Sequence, residues 1–273
     1  MSITKPAISR EIDLVSIHLH YLEWEGEDIP ILLLHPNRTN ARVWDFVVEY
    51  STLDKRFLAP DQRGHGLSEY PESGYTYEDY IADLLALLDE LGIQRVHVVG
   101  AATGGNVGLL FASDHERRVE SLTVIDPGLS LDSEINRRVQ KQIADEYHFD
   151  SIDKARSSMP FSVRWSEEMK DHYARYSFAL SDDGQATWRY YIPGVAETEH
   201  MLEEPIWDRL SVNCPTLVVR GSESEVFPTH NLEKLCALIP HAEKQQIDAD
   251  HRVSQDNPKA LAAVIDAFIL RQL

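Results

Sequence analysis

Cysteine is scarce: Cys214 and Cys236 are the only two in 273 residues. Two thiols so far apart neither frame a secreted disulfide scaffold nor make a metal-binding pair, so both read as plain buried side chains. Positive charge is also short. Against 45 acids stand 26 lysines and arginines, a formal net charge of −19. A surface of that sign repels nucleic acid and anionic membranes, which excludes both as partners and leaves open a neutral or cationic small molecule. Long apolar runs are missing as well. Stretches such as Ile31–Leu34 fall far short of a bilayer span and no basic-then-apolar leader opens the chain, so a soluble, cytoplasmic protein is expected. The 12 histidines contain no H-E-x-x-H pair. His18 and His20 alternate on a strand and read as surface residues. No metal and no cofactor is expected, and nothing in the sequence speaks to oligomeric state.

What the chain does have is enough apolar content, 43%, for one large core. Short β-type runs alternate with helical patterns, which predicts an α/β fold: a mostly parallel sheet flanked by helices. Leu14–Glu25 alternates apolar and polar residues and is expected to be a half-exposed antiparallel edge. Ile29–Leu34, Val96–Val99, Leu122–Ile125 and Thr216–Val219 are short apolar runs between turn residues, as buried strands are. Tyr77–Leu91 carries a helical apolar stripe behind a Thr76 cap and stops at Gly92, and Asn257–Leu270 closes the chain as another amphipathic helix. Between about Gly128 and Ser211 the pattern becomes helical without intervening strands and rich in aromatics. The expected organisation is a core from 1–127 and 212–273 with a helical cap, 128–211, inserted. About half of the cap's aromatics are expected to form its own core and the remainder to wall a pocket, with Trp165, Trp188 and Tyr191 as the candidates.

One stretch bears on chemistry more than any other. VVGAATGGN, Val98 to Asn106, has a strand, then small residues, then the start of a helix. This is the pattern of the G-x-S-x-G elbow, whose glycines make room for a nucleophile on a strained turn. The nucleophile's place is taken by Ala102. A phosphate cradle would use similar glycines, but no G-K element and no acidic residue at dinucleotide spacing accompanies them.

With LLLHPNRTNARVWD (32–45), APDQRGHGLS (59–68), VIDPG (124–128), RGSESEV (220–226) and DADHRV (248–253) in the same order, the chain resembles an α/β-hydrolase over nearly its whole length. The resemblance implies the α/β-hydrolase fold and a serine esterase-like site. It puts the general base at His251, in the loop before the last helix, and reads His65 as structural. Two acids compete to hold the histidine. Asp126 follows the strand after the elbow helix, and Glu225 lies one residue beyond the family's usual aspartate position, which Ser224 fills. A subgroup of small esterases takes its acid from the earlier strand and adds a serine after the later one, so Asp126 is preferred, with Ser224 as orienter. The oxyanion hole is assigned to the N–H of Thr103 and to Asn37, through its backbone or its side chain, because Pro36 replaces the usual glycine and has no N–H. Arg38 and Arg42 are surface charges, or meet an anionic part of a ligand if their loop faces the pocket.

Three readings of Ala102 stay open. The chain is a serine enzyme with the nucleophile exchanged for alanine, or a non-catalytic ligand-binding relative, or a catalyst that needs no nucleophile, such as a cofactor-free oxygenase or C–C hydrolase using the His–Asp pair. The first is preferred, since a chain that had lost catalysis has no reason to keep Asp126 and His251 together. The expected function is hydrolysis of a carboxylic ester or lactone of a hydrophobic or aromatic small molecule, silenced by Ala102. Thr103 is not expected to substitute as nucleophile.

Overall fold

The computed structural model describes residues 3–129 and 148–272. An eight-stranded sheet runs in the order β1 (Ile8–Asp13), β2 (His18–Trp24), β4 (Lys55–Pro60), β3 (Glu27–Leu34), β5 (Val96–Ala101), β6 (Val119–Ile125), β10 (Thr216–Gly221), β11 (Glu243–Ile247). β1, β2 and β4 pair antiparallel, and every other pairing is parallel.

The continuous apolar runs of the central strands are explained by a period of two with both faces covered. Ile31 and Leu33 of β3, with Val99 of β5, join the apolar layer closed by Phe268 and Ile269 of the last helix. Leu32 and Leu34, with Val96 and Val98, enter the opposite layer beside Leu84, Leu88 and Val107. Helices α1 (Asp45–Tyr50), α2 (Tyr77–Glu90) and α3 (Thr103–Asp114) follow their strands across the sheet, and the C-terminal helix spans Pro258–Leu270. α2 starts with a reciprocal cap, the Thr76 and Asp79 side chains each taking the other's backbone N–H.

Two expectations need correction. The edge strand is β1, and the alternating 14–25 segment yields β2, an interior strand. Its polar positions are satisfied by partners rather than by water: His20 bonds Asp61 at 2.7 Å and Ser9 at 2.7 Å, and Glu23 holds Arg10 and Arg56 at 3.0 and 2.7 Å. His20 is therefore buried, although His18 is partly exposed. Second, the segment expected to be all helical carries a small antiparallel sheet of β7 (His148–Phe149), β8 (Phe178–Leu180) and β9 (Ala186–Trp188). The strands are two or three residues long, too short to show a period, and their aromatics pack on one another, Phe178 against Trp188 at 4.2 Å. β11, for which the sequence offers no apolar run, is polar because it is an edge, with only Ile247 buried. Of the expected cap, 130–147 lie outside the described residues. From Phe178 onward this segment is tied to the core by backbone bonds from Gly66 N–H to Arg189 and from Tyr191 N–H to Gly64, both 2.8 Å.

Candidate active site

The carboxyl ends of β3, β5, β6 and β10 converge where the chain leaves the sheet in opposite directions, the place where open α/β sheets make their crevice. β5 hands over to α3 through Ala102, whose backbone sits at φ 47, ψ −117. For a residue with a Cβ this conformation costs about 1–3 kcal/mol and persists only where the surroundings impose it. They do so here by close approach. A Cβ on Gly104 would fall 2.3 Å from the Leu34 carbonyl, and one on Gly100 would fall 2.2 Å from the Gly104 carbonyl. The turn is locked by bonds from Ala102 N–H to Ile125 (2.9 Å) and to the Ala102 carbonyl from Gly105 and Asn106 (2.9 and 3.1 Å). The first amides of α3, those of Thr103 and Gly104, have no helical carbonyl to bond, so they present donors and the positive end of the helix dipole beside position 102.

Asp126 lies at the end of β6, also with positive φ (45), and is fully buried. Its Oδ2 accepts the Gly221 N–H at 2.8 Å, and its Oδ1 accepts both the Ser224 hydroxyl at 2.5 Å and the Nδ1–H of His251 at 2.8 Å. An ionised carboxylate only accepts, so the histidine proton is on Nδ1, and Nε2 keeps its lone pair for the cavity that His251 lines. The structure thus brings Asp126, Ser224 and His251 together and leaves Glu225 on the exposed side of the turn. Ser224 faces inward after Gly221 and the next residue faces out. As orienter, Ser224 acts through the aspartate rather than on the histidine, its Oγ also accepting the Phe227 N–H at 3.2 Å.

The 35–38 loop after β3 is held by two histidines in their neutral form. Burial lowers the pKa of His35, and lowers that of His65 to about 3, so both rings keep an acceptor nitrogen. His35 Nε2 takes the Gln62 N–H at 2.9 Å, and His65 Nε2 takes the Arg38 N–H at 3.1 Å. Of the two donors considered for Asn37, the side chain is spoken for. Its Nδ2 donates to Glu199 Oε1 at 2.8 Å and its Oδ1 accepts from Arg38 N–H at 3.1 Å, which leaves the backbone N–H as the donor Asn37 has to offer.

Above this floor is a cavity of about 220 Å³ lined by Ala101, His251, Asn37 and Arg38 below and by Trp165 and Trp188 on its walls. Tyr191 does not reach it. Because Tyr191 N–H is fixed to Gly64, the ring turns to Tyr70 and Tyr75, each 6.3 Å away, and joins the core. Tyr190, one residue earlier, lines the cavity instead, together with Tyr173 and Tyr176. Arg252 also lines it and was missed by sequence reasoning. The signal was its place immediately after His251. No group of histidine, cysteine, aspartate and glutamate among the described residues is arranged to hold a metal ion, and no helix among them is long and apolar enough to cross a membrane.

Comparison with known proteins agrees with this architecture. A model of the alpha/beta hydrolase fold matches residues 29–258. The chain is 34% identical over 280 residues to the 2-hydroxymuconate semialdehyde hydrolase of Pseudomonas putida, covering 97% of this chain and 95% of that one. It is 24% identical over 257 residues to 3-oxoadipate enol-lactonase 2 of Acinetobacter baylyi, covering 93% and 94%. The crystal structure of E-2-(acetamidomethylene)succinate hydrolase superposes with a TM-score of 0.89 at 25% identity, over 97% of this chain and 99% of that one.

Proposed function

Because the chain belongs to the alpha/beta hydrolase fold family, we propose that its site is built for hydrolysis of a carboxylic ester or lactone on a Ser-His-Asp plan, with alanine in the nucleophile's seat. The observation that carries this reading is the 2.8 Å contact of His251 Nδ1 with buried Asp126, set beside an elbow that keeps its strain at Ala102. An enol-lactonase and a semialdehyde hydrolase stand among its relatives, which supports a hydrolytic reading of the site.

With a hydroxyl at position 102, His251 Nε2 takes the hydroxyl proton as the oxygen attacks the substrate carbonyl. Asp126 steadies the imidazolium that forms, and Ser224 and Gly221 fix the aspartate. The N–H groups of Thr103 and Asn37 receive the oxyanion. His251 then gives its proton to the leaving oxygen, and water, activated in the same way, releases the acyl group. In this reading the described part of the 128–211 segment, from His148 onward, is the cap that excludes bulk water, and its rings hold the body of the substrate. Bearing Ala102, the chain binds substrate without forming the acyl intermediate.

Ala102→Ser tests the proposal. Turnover of activated esters or lactones is expected with serine and not with alanine. If both chains are silent toward esters while the alanine chain consumes oxygen or cleaves a carbon–carbon bond, the dyad works without a nucleophile and the proposal fails.

A further inference from the structure

The charge of the cavity is opposite to that of the chain. Three arginines, Arg38, Arg42 and Arg252, line it, and no aspartate or glutamate does among the described residues, although acids outnumber bases 45 to 26 in the sequence. The three differ in how their charge is met. Arg38 has Glu199 at 3.5 Å. Arg42 has Asp45 at 3.4 Å, a carboxylate shared with His172 at 2.9 Å, and lies over the Tyr176 ring at 4.5 Å. Arg252 has no carboxylate within ion-pair distance among the described residues. Its guanidinium donates to the Pro160 carbonyl and lies over the Trp165 ring at 4.9 Å. Burial lowers its pKa, the reverse of Arg63, whose guanidinium is buried with Asp83 at 2.7 Å and has its pKa raised. Asp250 and Asp256 act on it only from beyond ion-pair distance, so this half-buried guanidinium, with one carbonyl bond and one ring contact, retains a planar fork of donors that matches a carboxylate.

We infer that the cavity takes a substrate that carries a carboxylate, anchored on Arg252 with Arg42 as a second contact, a refinement that rests on the hydrolase reading of the floor. The chain's overall field repels anions, so a local cluster of this sign has to be built to admit one. Arg252 follows His251 directly, which puts the anchor beside the base. The carboxylate and the reacting carbonyl therefore belong to one small molecule, a few bonds apart. Trp165, Tyr173, Tyr176 and Trp188 supply flat apolar walls for a planar body between them, and no lysine among the described residues lines the cavity for a compact phosphate dianion.

The chain with Ala102 is itself the reagent, since binding is read without turnover. Calorimetric titration compares monomethyl phthalate, which carries one ester and one carboxylate, with neutral dimethyl phthalate, and with phenyl phosphate. The acid is expected to bind about tenfold or more tighter than the diester at low salt, with the advantage shrinking as salt is added. Arg252→Gln is expected to erase that advantage while changing the diester's Kd less than about twofold, and Arg42→Gln to reduce it less, because Asp45 already meets part of that charge. Equal or tighter binding of the diester, tighter binding of phenyl phosphate, or an Arg252→Gln chain with an unchanged preference would each overturn the inference. If Arg252→Gln fails to fold, the acid-to-diester ratio on the unaltered chain decides alone. Ester hydrolysis by Ala102→Ser without preference for the acid would leave the hydrolase reading standing and this one refuted. An acid preference in a chain whose Ala102→Ser form is inert would do the opposite.

Discussion

The floor of the site and its walls are made in different ways. The floor is backbone: Ala102 and Asp126 both hold positive φ, and Gly100 and Gly104 sit where no Cβ fits. Position and direction are dictated there by strand pairing, so a side chain at 102 has one place to be. The walls are side chains from a segment of short strands and helices, where rings pack on rings at 4.2–5.6 Å and the arginines lean on them. A floor of that kind specifies a reaction and tolerates little change. Walls of that kind specify a ligand and tolerate repacking.

The largest test of this contrast is a gain. Ala102→Ser should raise the rate on activated esters by about 10⁶, the usual worth of such a nucleophile, and a rise under about tenfold in a steady-state assay would break the floor account. On that background, His251→Ala or Asp126→Asn should remove about 10⁴ of the gain, whereas Glu225→Gln should change kcat less than twofold. The reverse ranking would transfer the acid's role to Glu225. Steric intolerance comes next. Gly104→Ala drives a Cβ to 2.3 Å from the Leu34 carbonyl and should cost about 3 kcal/mol in urea unfolding. Trp188→Phe, a change confined to the wall, should cost less than half as much.

Acid should loosen the floor as well. His65 and His97 have folded pKa values lowered by burial to about 3 and about 4 from an ordinary 6.5. As pH falls below 6.5 the unfolded chain takes up protons that the folded chain refuses. Their stabilisation is therefore whole above that value and lost progressively toward pH 3. At pH 5 the loss is on the order of 2 kcal/mol for each, which urea midpoints at pH 7.5 and 5 measure. A His65→Gln chain should show a shallower acid slope. The smallest effect belongs to Tyr191→Phe, which lies outside the cavity and should leave ligand affinity unchanged in the same titrations.

These differences track what was legible in the sequence. Local rules carried the fold: the Thr76 cap, the apolar runs of β3, β5, β6 and β10, and the closing helix each depend on residues a few positions apart. The elbow glycines, the DADH loop and Asp126 were legible for the same reason, each being anchored at a strand end. The choice between Asp126 and Glu225 was not fixed locally, because it depends on the register in which β6 pairs β10 and on which way the turn after Gly221 faces. Tyr191 was assigned to the pocket and its neighbour Tyr190 was not, since a one-residue difference in direction is set by a tertiary bond to Gly64. Buried His20 looked like a surface residue because its partner Asp61 is 41 positions away in the chain. Arg252 was invisible to a net charge of −19, which averages over the surface a cavity of the opposite sign.

The central claim, that position 102 is a nucleophile's seat served by His251 and Asp126, is tested most directly by intact-mass spectrometry of Ala102→Ser after mixing with a slowly deacylating activated ester. The account predicts one acyl group per chain, mapped by digestion to position 102 and abolished when His251→Ala is added. No adduct, or an adduct mapped to Thr103 or elsewhere, would contradict it.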